Sequence, residues 1–87
     1  MPDDFVQRLI QCIAKTQHIP AENITIDSSF EQLGIDSLDG INILFALENE
    51  FGVNIPDNAA QQVKTIRDMA QGVYQLMEAQ QAQPQAQ

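Results

Sequence analysis

Gly34-Ile35-Asp36-Ser37-Leu38-Asp39-Gly40-Ile41-Asn42-Ile43-Leu44-Phe45-Ala46-Leu47-Glu48-Asn49-Glu50-Phe51-Gly52 is the stretch on which the fold turns. Asp36 or Ser37 has the side chain of a helix N-cap, and Gly52 is the residue type that takes the left-handed position after a helix end. The spacing therefore predicts a helix ending at Phe51. On a wheel of ~100° per residue with Ser37 at zero, Ile43, Leu47, Phe51 and Leu44 fall in an arc of roughly 240° to 340°, with Gly40 inside it. Leu38, Ile41 and Phe45 fall in a second arc of about 40° to 100°, with Asp39, Asn42, Glu48 and Asn49 around it. One arc is enough for a helix packed in a small bundle. The second is either further core, if the helix is buried on two sides, or a docking surface whose acidic surroundings steer basic partners.

Outward from this helix, Phe5, Val6, Leu9, Ile10 and Ile13 recur at three- and four-residue spacing behind Asp3 and Asp4, which predicts a first helix over 3–17, bounded by Pro20. No period survives from Pro20 to Ile35. That segment reads as a long loop pinned by Ile24, Ile26, Phe30 and Leu33. Asp57 after Pro56 can cap a short third helix across Asn58–Gln62. Thr65 and Asp68 form a capping-box pattern opening a last helix, whose buried stripe is Ile66, Met69, Ala70, Val73 and Met77. The expected fold is thus all-α: a small four-helix bundle, three longer helices plus the short third one, with a long first loop. Residues 1–78 make one domain, and the Ala/Gln-rich tail 79–87 is expected to be disordered.

Charge and composition narrow the function. Among 87 residues, 12 Asp and Glu oppose 4 Lys and Arg, a net charge of −8, and the basic residues Arg8, Lys15, Lys64 and Arg67 are scattered. Nucleic acid and anionic membrane both demand clustered cations, so neither is an expected partner. No apolar run approaches the ~18 residues of a membrane span, and Met1-Pro2-Asp3-Asp4 is acidic where a targeting peptide is basic. The chain is expected to be cytoplasmic. Cys12 has no second cysteine to pair with, and no Cys/His cluster surrounds the single His18, so no disulfide and no metal site are expected. Cys12 reads as a small buried hydrophobe, with a free surface thiol the alternative, and His18 as a helix C-terminal cap or surface residue.

Gly34-Ile35-Asp36-Ser37-Leu38, preceded by Phe30-x-x-Leu33 and followed by Ala46-Leu47-Glu48-x-Glu50-Phe51 and Ile55-Pro56-Asp57, resembles the acyl carrier proteins, over residues from about 5 to 78. The resemblance implies that Ser37 carries a phosphopantetheine arm, taken from coenzyme A by a phosphopantetheinyl transferase. It implies that the thiol of the arm holds acyl intermediates as thioesters for enzymes of fatty acid, polyketide or related lipid biosynthesis. The protein is then a carrier and not an enzyme, and works as a monomer. Asp36, Leu38, Asp39, Ile41, Asn42, Phe45 and Glu48 are the expected docking residues for the transferase and for acyl-loading, condensing and acyl-transfer enzymes with basic patches. Phe30, Leu47, Ile55, Ala60, Val63 and Ile66 are candidates for an acyl pocket, each equally well explained as core.

Asn42 and Asn49 stand where that family commonly has acids, and Gly40 stands where a larger residue is usual. These departures would weaken docking to the general fatty-acid synthesis enzymes, so a carrier specialised for one pathway stands level with a housekeeping one. Gly40 also leaves room for a bulkier acyl group. Two other readings stay beside it: an aminoacyl or peptidyl carrier, and an unmodified acidic helical interaction module in which Ser37 is only a cap. A Gly-Asp-Ser-Leu type hydrolase is disfavoured, because Ile35 separates Gly34 from Asp36 and the chain is too short for the α/β layers of those enzymes. An EF-hand loop fails in the registers on Gly34, Gly40 and Gly52, which put Ser29, Ile35 and Leu47 at the first position, where a carboxylate is required.

Overall fold

A computed structural model describes residues 1–82, apart from the side chains of Asp57, Ala60, Gln81 and Ala82. Three α-helices, α1 (Asp3–Gln17), α2 (Ser37–Phe51) and α3 (Ile66–Ala82), are joined through two short 3-10 helices, Ala21–Asn23 and Asp57–Gln61. Among the described residues there is no strand, only an isolated bridge between Ser29 and Thr65. The predicted short third helix is a 3-10 helix, so the α-helices among the described residues number three rather than four. Pro56 takes the position before it, and Asp57 lies inside the element instead of capping it. Five residues between Pro56 and the approach to α3 are too few to repay the nucleation of an α-helix.

α1 packs chiefly on α2, and α3 closes against both through an apolar centre in which Leu9, Ile13, Ile43, Leu47, Ile66 and Val73 are fully buried. Phe5 holds one end of this core, 5.0 Å from Phe51 and 5.1 Å from Tyr74 between ring centroids. Arg8 lies 4.7 Å over the Phe51 ring and donates to Glu50 Oε2 at 2.9 and 3.1 Å and to the Glu50 carbonyl at 3.0 Å. One guanidinium thus ties α1 to the last turn of α2, whose carbonyls carry the negative end of the helix dipole.

The connection from α1 to α2 is more structured than a featureless loop. His18 closes α1 in the left-handed conformation, φ 58°, with its N–H on the Ala14 carbonyl. Beyond the first 3-10 helix, Ser29 and Gln32 cap each other reciprocally: Ser29 N–H donates to Gln32 Oε1 and Gln32 N–H to Ser29 Oγ, both at 3.0 Å. Three backbone bonds, Phe30 N–H to the Lys64 carbonyl, Ile66 N–H to Ser28 and Arg67 N–H to Ile26, at 2.8–2.9 Å, fasten this segment to the start of α3. Arg67 reinforces them with a 2.8 Å bond to Asp27 Oδ1. Gly34 then turns the chain at φ 74°, a conformation that costs glycine nothing and a β-carbon about 1–2 kcal/mol, and delivers Asp36 to the head of α2.

α3 continues to Ala82, so the first four residues of the segment read as a disordered tail are helical. Alanine and glutamine are good helix formers. Gln80 also has a tertiary partner, its Nε2 donating to the Gly52 carbonyl at 3.1 Å just beyond α2. The remainder of that tail, 83–87, lies outside the described residues.

At the other end of α3 the capping box is formed in both directions: Asp68 N–H donates to Thr65 Oγ1 at 3.1 Å, and Thr65 N–H to Asp68 Oδ2 at 3.2 Å. The Lys64 N–H adds a third bond to the same carboxylate oxygen, at 3.1 Å. The backbone donors of Lys64 and Thr65, in that order, lower the Asp68 pKa. A carboxyl whose pKa is depressed by folding contributes stability above its unfolded value, about 3.9, and loses that contribution as pH falls through the folded value. Asp68→Asn is therefore expected to lower the Tm at neutral pH, with the gap to the unsubstituted protein closing as thermal scans move below pH 4. Thr65→Ala, which removes the other half of the box, is expected to cost about 0.5–2 kcal/mol at any pH.

Candidate functional site

The two apolar arcs of α2 have different fates. Ile43, Leu44 and Leu47 are buried and Phe51 is half-buried, whereas Leu38, Ile41 and Phe45 are 73%, 43% and 56% exposed. These three are the only large apolar side chains among the described residues, besides Met1, that stand open to solvent. Buried α1 and α3 residues serve the first arc, and nothing in the fold covers the second.

Ser37 is the first residue of α2 and is exposed. Asp36 is the cap: its Oδ1 accepts from the Asp39 N–H at 2.9 Å, and its carbonyl accepts from the Gly40 N–H at 2.9 Å. Because Asp36 performs the capping, the Ser37 hydroxyl is left over, with no hydrogen bond among the described residues. The N–H groups of Ser37 and Leu38 lie in the first turn, where a helix offers its own donors no acceptor. An exposed hydroxyl, two outward donors and the positive end of a helix dipole meet at one point, a setting that favours an attached anion by about 0.3–1 kcal/mol.

Beside that point opens a cleft of about 300 Å³, lined by Phe30, Ile35, Asp36, Ser37, Gly40, Ile41, Gln61, Val63 and Met69. Among the described residues, Asp36 is the only charged side chain in its wall. The position a β-carbon would take on Gly40 has no atom within 4 Å, so the glycine enlarges the cleft. A second cleft of about 550 Å³ runs between the 3-10 helix Asp57–Gln61 and α3.

Of the residues expected to line a pocket, Phe30 and Val63 meet Ser37 in the first cleft, and Ile55 and Val63 line the second. Leu47 and Ile66, both 0% exposed, are closed into the core and line neither. Ala60 lies outside the residues whose side chains are described. Ile35, Gly40, Ile41, Gln61 and Met69 complete the first wall. No periodicity in the sequence separates a cleft wall from ordinary core, and only Gly40, too small for its place, carried a signal.

Among the expected docking residues, Asp36, Leu38, Ile41, Asn42 and Phe45 are exposed and Asp39 is half-buried. Glu48 is partly committed elsewhere, because its Oε2 accepts from the Ile55 N–H at 2.7 Å and so holds the chain leaving α2 against the helix. Cys12 is remote from this face. Burial, helped by the neighbouring Glu50 charge, pushes its thiol pKa up, which makes it a sluggish nucleophile.

Comparison with known proteins gives a consistent result. Residues 7–73 match the family described as a phosphopantetheine attachment site. The acyl carrier protein of Treponema denticola is 40% identical over 80 residues, covering 91% of this chain and 97% of that one. That of Rickettsia bellii is 41% identical over 68 residues, covering 77% and 79%. Among solved structures, the 3,7-dioxo-octyl actinorhodin acyl carrier protein of Streptomyces coelicolor superposes with a TM-score of 0.67 at 28% identity, covering 90% of this chain and 91% of that one. The acyl carrier protein of Thermotoga maritima gives a TM-score of 0.65 at 25% identity, covering 83% and 93%.

Proposed function

Since the chain belongs to the acyl carrier protein family, with an acyl carrier role and phosphopantetheine as its covalent group, we propose that Ser37 is the residue that bears that group. The observation that carries the assignment is the division of labour at the head of α2. Asp36 supplies the cap, and Ser37, one residue on, keeps an unengaged hydroxyl at the mouth of an apolar cleft. The residues present fit the group. The Ser37 hydroxyl would supply its ester oxygen, and the first-turn N–H groups of α2 would favour its phosphate. Once bound, the group supplies a thiol that holds the acyl chain as a thioester. Phe30, Ile35, Val63 and Met69 offer that chain an apolar wall.

Leu38, Ile41 and Phe45, with Asp36, Asp39 and Asn42 around them, are the surface that partners engage. The apolar anchors supply the buried contact and the carboxylates steer an approaching basic patch, a combination that favours rapid encounter and rapid release. The partners are a phosphopantetheinyl transferase and the enzymes that load, extend and remove the acyl group. The chain itself catalyses nothing in this reading, and it works in the cytoplasm as a monomer. No described helix is long and apolar enough to cross a membrane. Asn42 and Asn49 weaken the acidic steering along α2, which supports a carrier serving one pathway over one serving many.

Incubation with coenzyme A and a promiscuous phosphopantetheinyl transferase tests the assignment. The protein should gain the mass of one phosphopantetheine and Ser37→Ala none, with the far-UV spectrum unchanged because the cap belongs to Asp36. A gain that persists in Ser37→Ala would reject it.

A further inference from the structure

We infer that Glu48 is a latch between the docking face of α2 and the segment that leads to the 3-10 helix Asp57–Gln61. A basic side chain of the docked enzyme takes the Glu48 carboxylate, and the Ile55 N–H loses its acceptor. The inference rests on Leu38, Ile41 and Phe45 being the docking surface and goes beyond it to what docking does inside the carrier.

The two oxygens of Glu48 face different ways. Oε2 accepts from the Ile55 N–H at 2.7 Å. Oε1 has no hydrogen bond among the described residues, and no buried side-chain oxygen there lacks a partner, so Oε1 opens to solvent. Its side of the helix is that of the patch. At ~100° per residue, Glu48 lies roughly 20° around α2 from Ile41 and 60° from Phe45, whereas Asp39 and Glu50, the other acids of the helix, lie about 120° or more from both. Glu50 is also held by Arg8 at 2.9 Å, and neither ion pair among the described residues uses Glu48. A cation settling over the Phe45 end of the patch therefore meets a carboxylate that no cation of the fold has paired. It attracts that carboxylate with a full charge where the Ile55 amide offers a dipole.

The inner side of the latch is a thin attachment. Residues 53–55 run from Gly52 to Pro56 without regular structure, and the bond to Glu48 is the one hydrogen bond they make among the described residues. Val53 and Ile55 are buried, so apolar contact keeps the segment seated once the bond is gone. Pro56 has no N–H to replace it. The Pro56 carbonyl is the first acceptor of the 3-10 helix, taking the Ala59 N–H at 3.0 Å, and Gln61 at the far end of that helix stands in the same wall as Ser37. Release at Ile55 thus reaches the surroundings of Ser37 across one short element. The coupling is reciprocal: by whatever factor an open latch favours the partner, the bound partner favours the open latch.

The test follows backbone amides of the isotope-labelled full chain carrying Ser37→Ala, which docks without reacting, as it is titrated with a promiscuous phosphopantetheinyl transferase and coenzyme A. The Leu38 and Phe45 amides should shift, reporting the docking. The Ile55 amide proton should move upfield, as a proton leaving a carboxylate does, and exchange with solvent about tenfold faster than in the free protein. Adding Glu48→Ala should place the Ile55 proton upfield from the start, and docking should then move it no further. Leu38 and Phe45 amides that respond while Ile55 keeps its position and its exchange rate would overturn the latch and leave the docking surface standing. An Ile55 amide that still answers docking in the Glu48→Ala protein would overturn it as well. The first of these outcomes needs no substitution at Glu48, so it holds even where that variant folds poorly. Leu38 and Phe45 amides that never respond overturn the docking reading and this inference with it.

Discussion

Leu47→Ala is expected to destabilise the protein by about 2–5 kcal/mol, because Leu47 is 0% exposed at the centre of the core and its truncation leaves a cavity as well as losing transfer energy. A domain of this size has a total stability of only about 5–15 kcal/mol. The Tm should therefore fall by roughly 10 °C or more. Leu38→Ala, made on the same helix nine residues earlier, removes a side chain that is 73% exposed and should stay within about 0.5 kcal/mol of the unsubstituted protein. Paired denaturation curves check both. The contrast matters more than either value: two leucines of one helix, equal in hydrophobicity, differ in cost by several kcal/mol because one faces α1 and α3 and the other faces nothing. Equal costs would mean that both arcs of α2 are core.

The second large effect concerns the open arc. Leu38→Asp and Phe45→Ala should each reduce the transferase kcat/KM by about 30-fold, the equivalent of a binding hot spot worth about 2 kcal/mol, while leaving the Tm nearly unchanged. Two features give the expectation its size. Leu38 immediately follows Ser37, so an enzyme that reaches the hydroxyl must also cover that side chain. The patch gathers the large apolar side chains that, besides Met1, the described residues leave in water, so its burial in a complex gives back what folding did not. Asp39→Asn should act differently, lowering the rate modestly and flattening its dependence on salt, since a rim charge governs encounter more than residence. Activity that is indifferent to Leu38 and Phe45 would remove the patch from the docking role.

How far the sequence reveals this structure varies with the physics of each segment. The ends of α1 and α2 are legible because local chemistry decides them: Asp36 as cap and Gly52 as left-handed terminator of α2, and the apolar spacing from Phe5 to Ile13 in α1. The Thr65–Asp68 box is legible for the same reason. The segment after Pro56 is not, since a five-residue stretch has too few hydrogen bonds for propensity to choose between a 3-10 and an α-helix. The extension of α3 to Ala82 is likewise hidden, because a Gln/Ala run reads as low complexity until Gln80 is found on the Gly52 carbonyl. Ser37 stands out in the sequence by its place next to a cap. The cleft beside it does not, because Ile66 falls on the same apolar stripe as Met69 and Leu47 on the same arc as Gly40, and only tertiary packing decides which of them faces a void.

On the proposed assignment one oxygen, the Ser37 Oγ, bears the prosthetic group. The chain has three serines, Ser28, Ser29 and Ser37, and cleavage after Lys15 and Lys64 releases all of them on a single peptide. Fragment-ion sequencing of that peptide, from protein purified out of its source, measures the claim directly. The phosphopantetheine mass should reside wholly on fragments that contain Ser37 and be absent from those that end before Asp36. The same mass on Ser28 or Ser29, or an unmodified peptide from a growing cell, would contradict the account.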